Sequence, residues 1–291
     1  VPRTTRSAVD ASLDATGPDG SVPHQQIPDA MPREDAADTL PDGTLDPVDS
    51  ALNGSPAGGE GFSVAYAFPD TWNARTNCSA TVDSDGNLTA YECSSSEYLA
   101  MGSATFRGAD SDGIVAWGEW VGGPIEGVLG GDDFSRSFAG ITDGFHYAIG
   151  TGPPVSLPGE GIYNLVGLTT PSTSDGTAMS LDDLDIAIDF DTGQVGAEST
   201  ATTRYGSESF ATTGGRGDLS AAEGLLGTDY LFEIDLQNHA SSCQIWGAVV
   251  GDEATDLVVS YRVSVLSYKD GGPAPGLELY GTAVLRRPML P

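Results

Sequence analysis

An all-β fold ending in an antiparallel β-barrel is predicted from this sequence by two patterns. From about residue 159 onward, short apolar runs alternate with polar residues at a period of two, and glycines separate the runs. The clearest run is Leu184–Phe190, where leucine, isoleucine and phenylalanine alternate with aspartate and alanine. No long segment has a helical period, so residues 159–291 are predicted to form a C-terminal β-barrel.

Alternating runs also precede the barrel, and residues 62–158 are therefore predicted to be a smaller β-rich region that leads into it. Its clearest strands are Phe62–Phe68, Ala104–Gly108, Ile114–Gly123 and Phe145–Gly150. Within the third of these, Trp117 and Trp120 are expected on opposite faces. Helices of one or two turns are expected near Ser96–Met101 or Ser220–Leu226.

Residues 1–61 differ in composition from the rest of the chain. They are rich in proline and aspartate, contain no aromatic residue, and carry only isolated apolar side chains. Such a segment cannot bury enough surface to offset its loss of conformational entropy, so it is predicted to be extended when alone. We expect it to become ordered on a neighbouring copy of the chain.

The charge balance restricts the classes of partner. The chain has 42 acidic and 12 basic residues and a net charge of −30. A surface this acidic repels nucleic-acid phosphates and anionic lipids, so neither is an expected partner. No apolar run approaches the roughly 20 residues that a membrane-spanning helix needs.

The start of the sequence suggests export. It begins at Val1 without an initiator methionine, as expected of a mature chain whose signal peptide has been removed. It does not begin with the cysteine of a lipoprotein. We therefore expect a secreted or cell-surface protein.

Two of the three cysteines are predicted to form a disulfide bond. Cys78 and Cys93 bracket two alternating runs joined by an Asp-Gly-Asn turn, so a hairpin places them opposite each other. A disulfide there closes a loop of about fifteen residues and stabilises the fold by roughly 3 kcal/mol. Cys243 is interpreted as a buried apolar residue, and pairing with another cysteine or across a subunit contact stays an alternative.

Candidate metal ligands are few. Asp83, Asp85 and Asn87 resemble part of an oxygen-rich calcium loop, but the acidic residue that completes an EF-hand is missing and a hairpin turn is needed there. The three histidines, His24, His146 and His239, lack metal-ligand spacing. No cofactor is predicted, and calcium and haem stay as alternatives. For His146, a strand position with a backbone hydrogen-bond partner is expected.

No sequence feature favours catalysis. No serine lies in a Gly-x-Ser-x-Gly elbow. Adjacent carboxylates are interpreted as solvated turns; they are Asp132-Asp133, Asp182-Asp183 and Asp252-Glu253. The tripeptide Arg216-Gly217-Asp218 in a glycine loop matches an integrin-binding motif that chance produces readily in this composition. The chain is predicted to be non-enzymatic.

Several short motifs carry a family resemblance. They are Gly161-Ile162-Tyr163, Ile188-Asp189-Phe190, Ile245-Trp246-Gly247-Ala248 and Tyr280-Gly281-Thr282-Ala283. Over residues 104–287 the chain resembles the eight-stranded barrel of bacterial transferrin-binding protein B and related surface or secreted proteins. The resemblance implies a bacterial cell-surface or extracellular location and capture of haem or a host iron protein. It transfers no binding residue, because the motifs are structural.

Two functions follow as expectations. The first is a structural, self-assembling role, in which the N-terminal segment docks on a neighbouring copy and builds a filament or surface layer. The alternative, implied by the resemblance, is capture of haem or a host iron protein. The expected partners are accordingly further copies of the chain or a host or surface protein.

Overall fold

The computed structural model describes residues 61–111, 114–138, 143–151, 159–174, 179–196, 198–205, 208–221, 230–237, 241–251, 253–265, 268–269, 272–273 and 277–288. The predictions for residues 1–60, including His24, and for His239 and residues 222–226 lie outside these ranges. All regular elements of the described residues are β-strands, which confirms the predicted all-β class. No helix there is long and apolar enough to cross a bilayer.

The first nine strands form one antiparallel sheet. They are β1 (Phe62–Phe68), β2 (Thr71–Val82), β3 (Leu88–Ser94), β4 (Glu97–Ala100), β5 (Thr105–Ser111), β6 (Val115–Val121), β7 (Pro124–Leu129), β8 (Asp132–Ser137) and β9 (Phe145–Thr151). Their order across the sheet is β5-β6-β9-β1-β2-β3-β4-β7-β8. Trp120 of β6 donates its indole N–H to the carbonyl of Leu88 at the start of β3, 2.7 Å away. Because β6 and β3 are four places apart in the strand order, this contact shows that the sheet curls.

Eleven of the remaining strands form a second sheet, which includes the barrel. They are β10 (Glu160–Leu168), β11 (Ser172–Thr173), β12 (Met179–Asp189), β13 (Gln194–Val195), β14 (Thr200–Tyr205), β15 (Glu208–Thr213), β16 (Gly215–Ala221), β17 (Tyr230–Gln237), β18 (Ser241–Val250), β19 (Asp256–Val265) and β22 (Leu277–Arg286). A separate two-stranded ladder joins β20 (Tyr268–Lys269) to β21 (Gly272–Pro273).

Pairing in the second sheet closes on itself. Antiparallel neighbours follow the order β10-β22-β19-β18-β17-β16-β13-β12, and β12 then pairs with β10. Strands β14 and β15 extend the sheet beyond β12. This circuit of eight strands is the predicted barrel, and it removes most of the exposed strand edges.

Alternation along each strand decides which side chains enter the barrel. In β12, Leu184, Ile186 and Ile188 are buried, while the intervening aspartates and alanine face outward. Similar inward positions on β18, β19 and β22 complete the core, which contains Tyr163, Cys243 and Tyr261. Side chains therefore fill the barrel interior.

The first sheet encloses a separate aromatic core. Trp120 stacks on Phe145 with ring centroids 4.8 Å apart, and Phe145 stacks on Tyr66 at 5.7 Å. Trp117 lies on the opposite face of β6 and packs outside this core, as predicted. The two tryptophans thus anchor different layers of the molecule.

A seam of small residues joins the curled sheet to the barrel. It consists of Ala65, Ala74, Val115, Ala148, Ala248, Val250, Val258 and Val284. Gly150 lies in this seam, where a Cβ atom would come 2.7 Å from a methyl carbon of Val250. Across the seam, Ser260 donates its hydroxyl to the carbonyl of Asn73 at 2.9 Å. Small side chains here allow two sheets to pack closely.

The expectation of a helix near Ser96–Met101 is wrong. Glu97–Ala100 is strand β4, which pairs with β3 on one side and β7 on the other. The segment has a period of two, since Glu97 and Leu99 are buried and Tyr98 and Ala100 are less so. Four residues are too few for propensity to outweigh two neighbouring strands.

Candidate functional site: an anionic groove on the barrel wall

An open groove of about 1010 Å³ lies on the barrel where β10, β12, β13 and β16 run side by side. It is lined by Glu160–Ile162, Ala187–Asp189, Gln194–Gly196, Glu198 and Gly214–Asp218. Four carboxylate side chains and one guanidinium are among these residues. The groove therefore has a net negative charge.

Strand register places three of the carboxylates in one row. Glu160 pairs with Asp189, Asp189 with Gln194, and Gln194 with Asp218. Directly opposed residues of an antiparallel pair have Cβ atoms roughly 5 Å apart and lie on the same face. The row thus presents a line of carboxylates, with one amide, across four adjacent strands.

A second row gives the groove a less polar border. Ile162 of β10 pairs with Ala187 of β12. The side chain of Ile162 is 49% exposed, which is unusual for a large aliphatic residue of this protein. Arg216 is exposed on β16, two residues before Asp218. A ligand in the groove would meet both negative charge and apolar surface.

The turn between β12 and β13 holds the central carboxylate of the row in place. Asp189 accepts hydrogen bonds from the Thr192 hydroxyl at 2.6 Å and from the Asp191 and Thr192 backbone amides at 2.9 and 3.1 Å. The hydrogen bonds from Thr192 and Asp191 lower the pKa of Asp189. Asp189 therefore remains ionised at neutral pH.

Gly196 shapes the floor of the groove. Its φ angle is +101°, and a Cβ atom there would lie 2.9 Å from the carbonyl carbon of Gly215. Its amide donates to the Ala187 carbonyl at 2.9 Å, and its carbonyl accepts from Gly215 at 2.7 Å. Only glycine allows both the positive φ and this close approach.

Most described arginines are engaged within the protein. Ion pairs join Arg75 to Glu97, Arg107 to Glu119, Arg204 to Asp182, Arg262 to Glu278 and Arg286 to Asp256. Arg136 lies over the rings of Phe68 and Phe138, and Arg287 donates to the Glu160 carbonyl. The exposed surface is therefore dominated by carboxylates that these arginines leave uncompensated.

A Ser-His-Glu arrangement lies where the first sheet meets β11 but lacks the geometry of a catalytic triad. His146 Nε2 lies 2.9 Å from the Ser172 hydroxyl and 3.7 Å from Glu119 Oε1. In a triad the carboxylate contacts the other ring nitrogen, yet here His146 Nδ1 is buried without a hydrogen-bond partner among the described residues. Ser172 itself is fully buried.

Electrostatics also favour a structural role for this cluster. Burial, together with the charge of Arg107, lowers the pKa of His146 to about 3. Such an imidazole is neutral and weakly basic at pH 7. The predicted backbone partner of His146 is replaced by the side chain of Ser172, so the histidine links the first sheet to β11.

The residues named from the sequence occupy structural positions elsewhere. A disulfide bond joins Cys78 to Cys93, as predicted. Asp83 accepts hydrogen bonds from the Asp85 and Asn87 amides, both at 2.9 Å, so it closes the hairpin turn. No group of three or more His, Cys, Asp or Glu in the described ranges is arranged to hold a metal ion. Cys243 is buried and is not part of the disulfide bond.

The groove residues were not identified from the sequence as a site. The alternating aspartates of β12 are visible in the sequence, but the members of the row are spread over 58 positions, from Glu160 to Asp218. The prediction that Arg216-Gly217-Asp218 lies in a loop is wrong, because the tripeptide lies within β16 and Gly217 pairs with Val195. Register, which the sequence does not reveal, brings these residues together.

Comparisons with known proteins show a distant likeness to solved structures. No protein-family model and no curated protein matches the sequence. Among solved structures, the chain is similar to isotype 1 transferrin binding protein B from serogroup B Neisseria meningitidis, with a TM-score of 0.40 and 9% sequence identity. The alignment covers 79% of this chain and 44% of that one. A likeness this distant identifies no residue of the groove.

Proposed function

We propose that this chain is a non-enzymatic extracellular or cell-surface binding protein that captures a cationic protein segment in the groove of the barrel wall. The observation that carries the proposal is the row formed by Glu160, Asp189 and Asp218 across four paired strands. A row of carboxylates matches an extended segment in which lysine or arginine alternates with small residues.

Two further observations support a basic partner. The net charge of −30 attracts cations over the whole surface and would steer them towards the protein. Ile162, exposed at the border of the groove, offers apolar contact to the aliphatic stem of a lysine or arginine. Because the carboxylates are exposed, each contact is expected to contribute modestly and to weaken with salt.

Binding of a synthetic peptide tests the proposal. Fluorescently labelled peptides of about ten residues, alternating Lys-Ser or Glu-Ser, would be titrated with the full chain by anisotropy. We expect binding of the lysine peptide only, about tenfold weaker when NaCl rises from about 0.05 to about 0.5 M. No binding of the lysine peptide at low salt would overturn the proposal.

A matched pair of variants separates the groove from general acidity. The Glu160→Gln/Asp218→Asn variant removes two groove carboxylates and is expected to weaken binding about fivefold. The Glu92→Gln/Glu126→Gln control removes two exposed carboxylates from the first sheet, so the net charge is the same. Equal weakening in both variants would assign binding to net charge and contradict the groove.

Haem or host iron-protein capture is the alternative that the sequence resemblance implies. The barrel core is filled by side chains such as Tyr163, Ile186 and Tyr261, so a haem inside it would have to displace them. A haem titration followed in the Soret band and a pull-down with iron-loaded transferrin test this alternative. Because haem or transferrin would not bind through the groove, the Glu160→Gln/Asp218→Asn variant should bind either of them as well as the parent protein does.

Self-assembly is the second candidate function, and the unpaired edges of the first sheet favour it. Strands β5 and β8 lie at the two ends of the sheet, and no further strand of the described residues pairs with their outer edges. A strand from another chain could therefore be added at either edge. In this role residues 1–60 of one copy would dock on the next. Deleting them should abolish filaments in electron micrographs, and unchanged filaments would contradict the role.

A further inference from the structure

Among the residues that the structure describes, strand β8 has the features of an unprotected sheet edge. It pairs with β7 through six consecutive residues without a register shift, from Asp132 opposite Leu129 to Ser137 opposite Pro124. At the other end of the sheet, β5 contains an irregularity between Arg107 and Asp110, a device that discourages pairing. Of the two ends, β8 is the regular one.

The sequence of β8 is self-complementary. Alternation places Asp132, Phe134 and Arg136 on one face, and Asp133 and Ser135 on the other. Antiparallel pairing of two copies centred on Phe134 sets Asp132 opposite Arg136 of the second copy and Asp133 opposite Ser135. It also sets the two Phe134 rings opposite each other. Opposite charges and aromatic pairs are favourable cross-strand combinations.

Arg136 is positioned to serve such a pair. Its guanidinium lies 5.5 Å from the ring centre of Phe68 and 5.2 Å from that of Phe138, which orients it at the edge of the sheet. One nitrogen donates to the Pro69 carbonyl at 3.3 Å. The remaining N–H groups of a guanidinium can bind a second acceptor without loss of this stacking.

We propose that β8 pairs antiparallel with β8 of a second copy of this chain, in the register that places Phe134 opposite Phe134. The contact is two-fold symmetric, so by itself it closes at a dimer. It is independent of the anionic groove and does not use residues 1–60. A filament would need a further contact, such as the one considered for the N-terminal segment.

Sedimentation velocity at two salt concentrations tests the dimer. Two copies that each carry a charge of −30 repel each other, so dimerisation is expected to strengthen between about 0.05 and about 0.5 M NaCl. Binding of a cationic peptide changes in the opposite direction, which separates the two proposals. A chain that stays monomeric at high protein concentration in both salts would overturn this one.

Neighbouring charge reversals test the register. Asp132→Lys replaces two Asp-Arg pairs by two Lys-Arg pairs and should raise the dimer dissociation constant about tenfold. Asp133→Lys changes the net charge equally but faces Ser135 of the other copy, so it should leave the dimer intact or tighten it. Both residues are exposed, and neither substitution disturbs the core. Equal effects of the two variants would reject the register.

Cysteine cross-linking gives an independent readout. A mixture of the Asp133→Cys and Ser135→Cys variants should form a disulfide-linked heterodimer under mild oxidation, because these positions face each other across the symmetric contact. Neither variant alone should form one efficiently. Cross-linking of Ser135→Cys by itself would indicate a shifted register and contradict the proposed pairing.

Discussion

Removal of Arg107 would leave a buried carboxylate without its charged partner. Arg107 donates two hydrogen bonds to Glu119, whose side chain is only 1% exposed, whereas that of Arg107 is 29% exposed. Breaking a buried ion pair from one side typically costs 3–5 kcal/mol. Because Arg107 is partly exposed and water can enter its site, we expect Arg107→Ala to lower the free energy of unfolding by about 3 kcal/mol.

The loss of stability in the Arg107→Ala variant should depend on pH. Burial raises the pKa of Glu119 even though Arg107 opposes the shift. A carboxyl group with a raised pKa in the folded state favours folding below its unfolded value, near 4.3, and this stability is lost as pH rises through the folded pKa. Without Arg107 the pKa of Glu119 in the folded state rises further. The free energy of unfolding of Arg107→Ala should therefore come close to that of the parent protein near pH 4 and differ by the full amount at pH 7.

Urea unfolding followed by tryptophan fluorescence measures these differences. Arg107→Ala/Glu119→Gln removes both charges and should recover most of the lost stability. Arg204→Ala breaks the ion pair with Asp182, in which the side chains are 58% and 26% exposed, and should cost less than about 1 kcal/mol. Equal losses of stability in Arg107→Ala and Arg204→Ala, or no recovery in the double variant, would show that the buried Glu119 carboxylate does not depend on Arg107.

Two further predictions concern covalent and backbone constraints. Replacing Cys78 and Cys93 together by serine should lower the free energy of unfolding by about 3 kcal/mol, since the disulfide closes a loop with a sequence separation of 15; an unchanged urea midpoint would contradict this. Gly196→Ala should cost about 2 kcal/mol or more, because both its φ of +101° and its contact with Gly215 exclude a Cβ atom. Gly214→Ala has a φ of +72° but open space around the Cβ position, so it should cost about 1 kcal/mol. Equal losses in the two glycine variants would argue against the close contact at Gly196.

Local patterns were sufficient to predict the strands and the hairpin. In Leu184–Phe190, alternation reports burial directly because one face of the strand meets the core and the other meets water. The spacing of Cys78 and Cys93 around a turn likewise predicts that the two residues face each other across a hairpin, where they form a disulfide bond. These features depend on residues close in sequence.

Features formed by distant residues were not predicted. The period of two in Glu97–Ala100 is too short to distinguish from a helical turn until its partners β3 and β7 are known. His146 of the first sheet contacts Ser172 of the second sheet. Glu160 lies opposite Asp189 because β10 pairs with β12 to close the barrel. Acidic residues are so frequent in this chain that only their register reveals the row.

Amide hydrogen exchange with and without the lysine peptide shows where the peptide binds. At low salt, we expect slower exchange on peptide binding in residues 160–162, 187–196 and 214–218, and unchanged exchange in the first sheet. Protection spread evenly over the acidic surface, or confined to strands outside the groove, would contradict capture at the barrel wall.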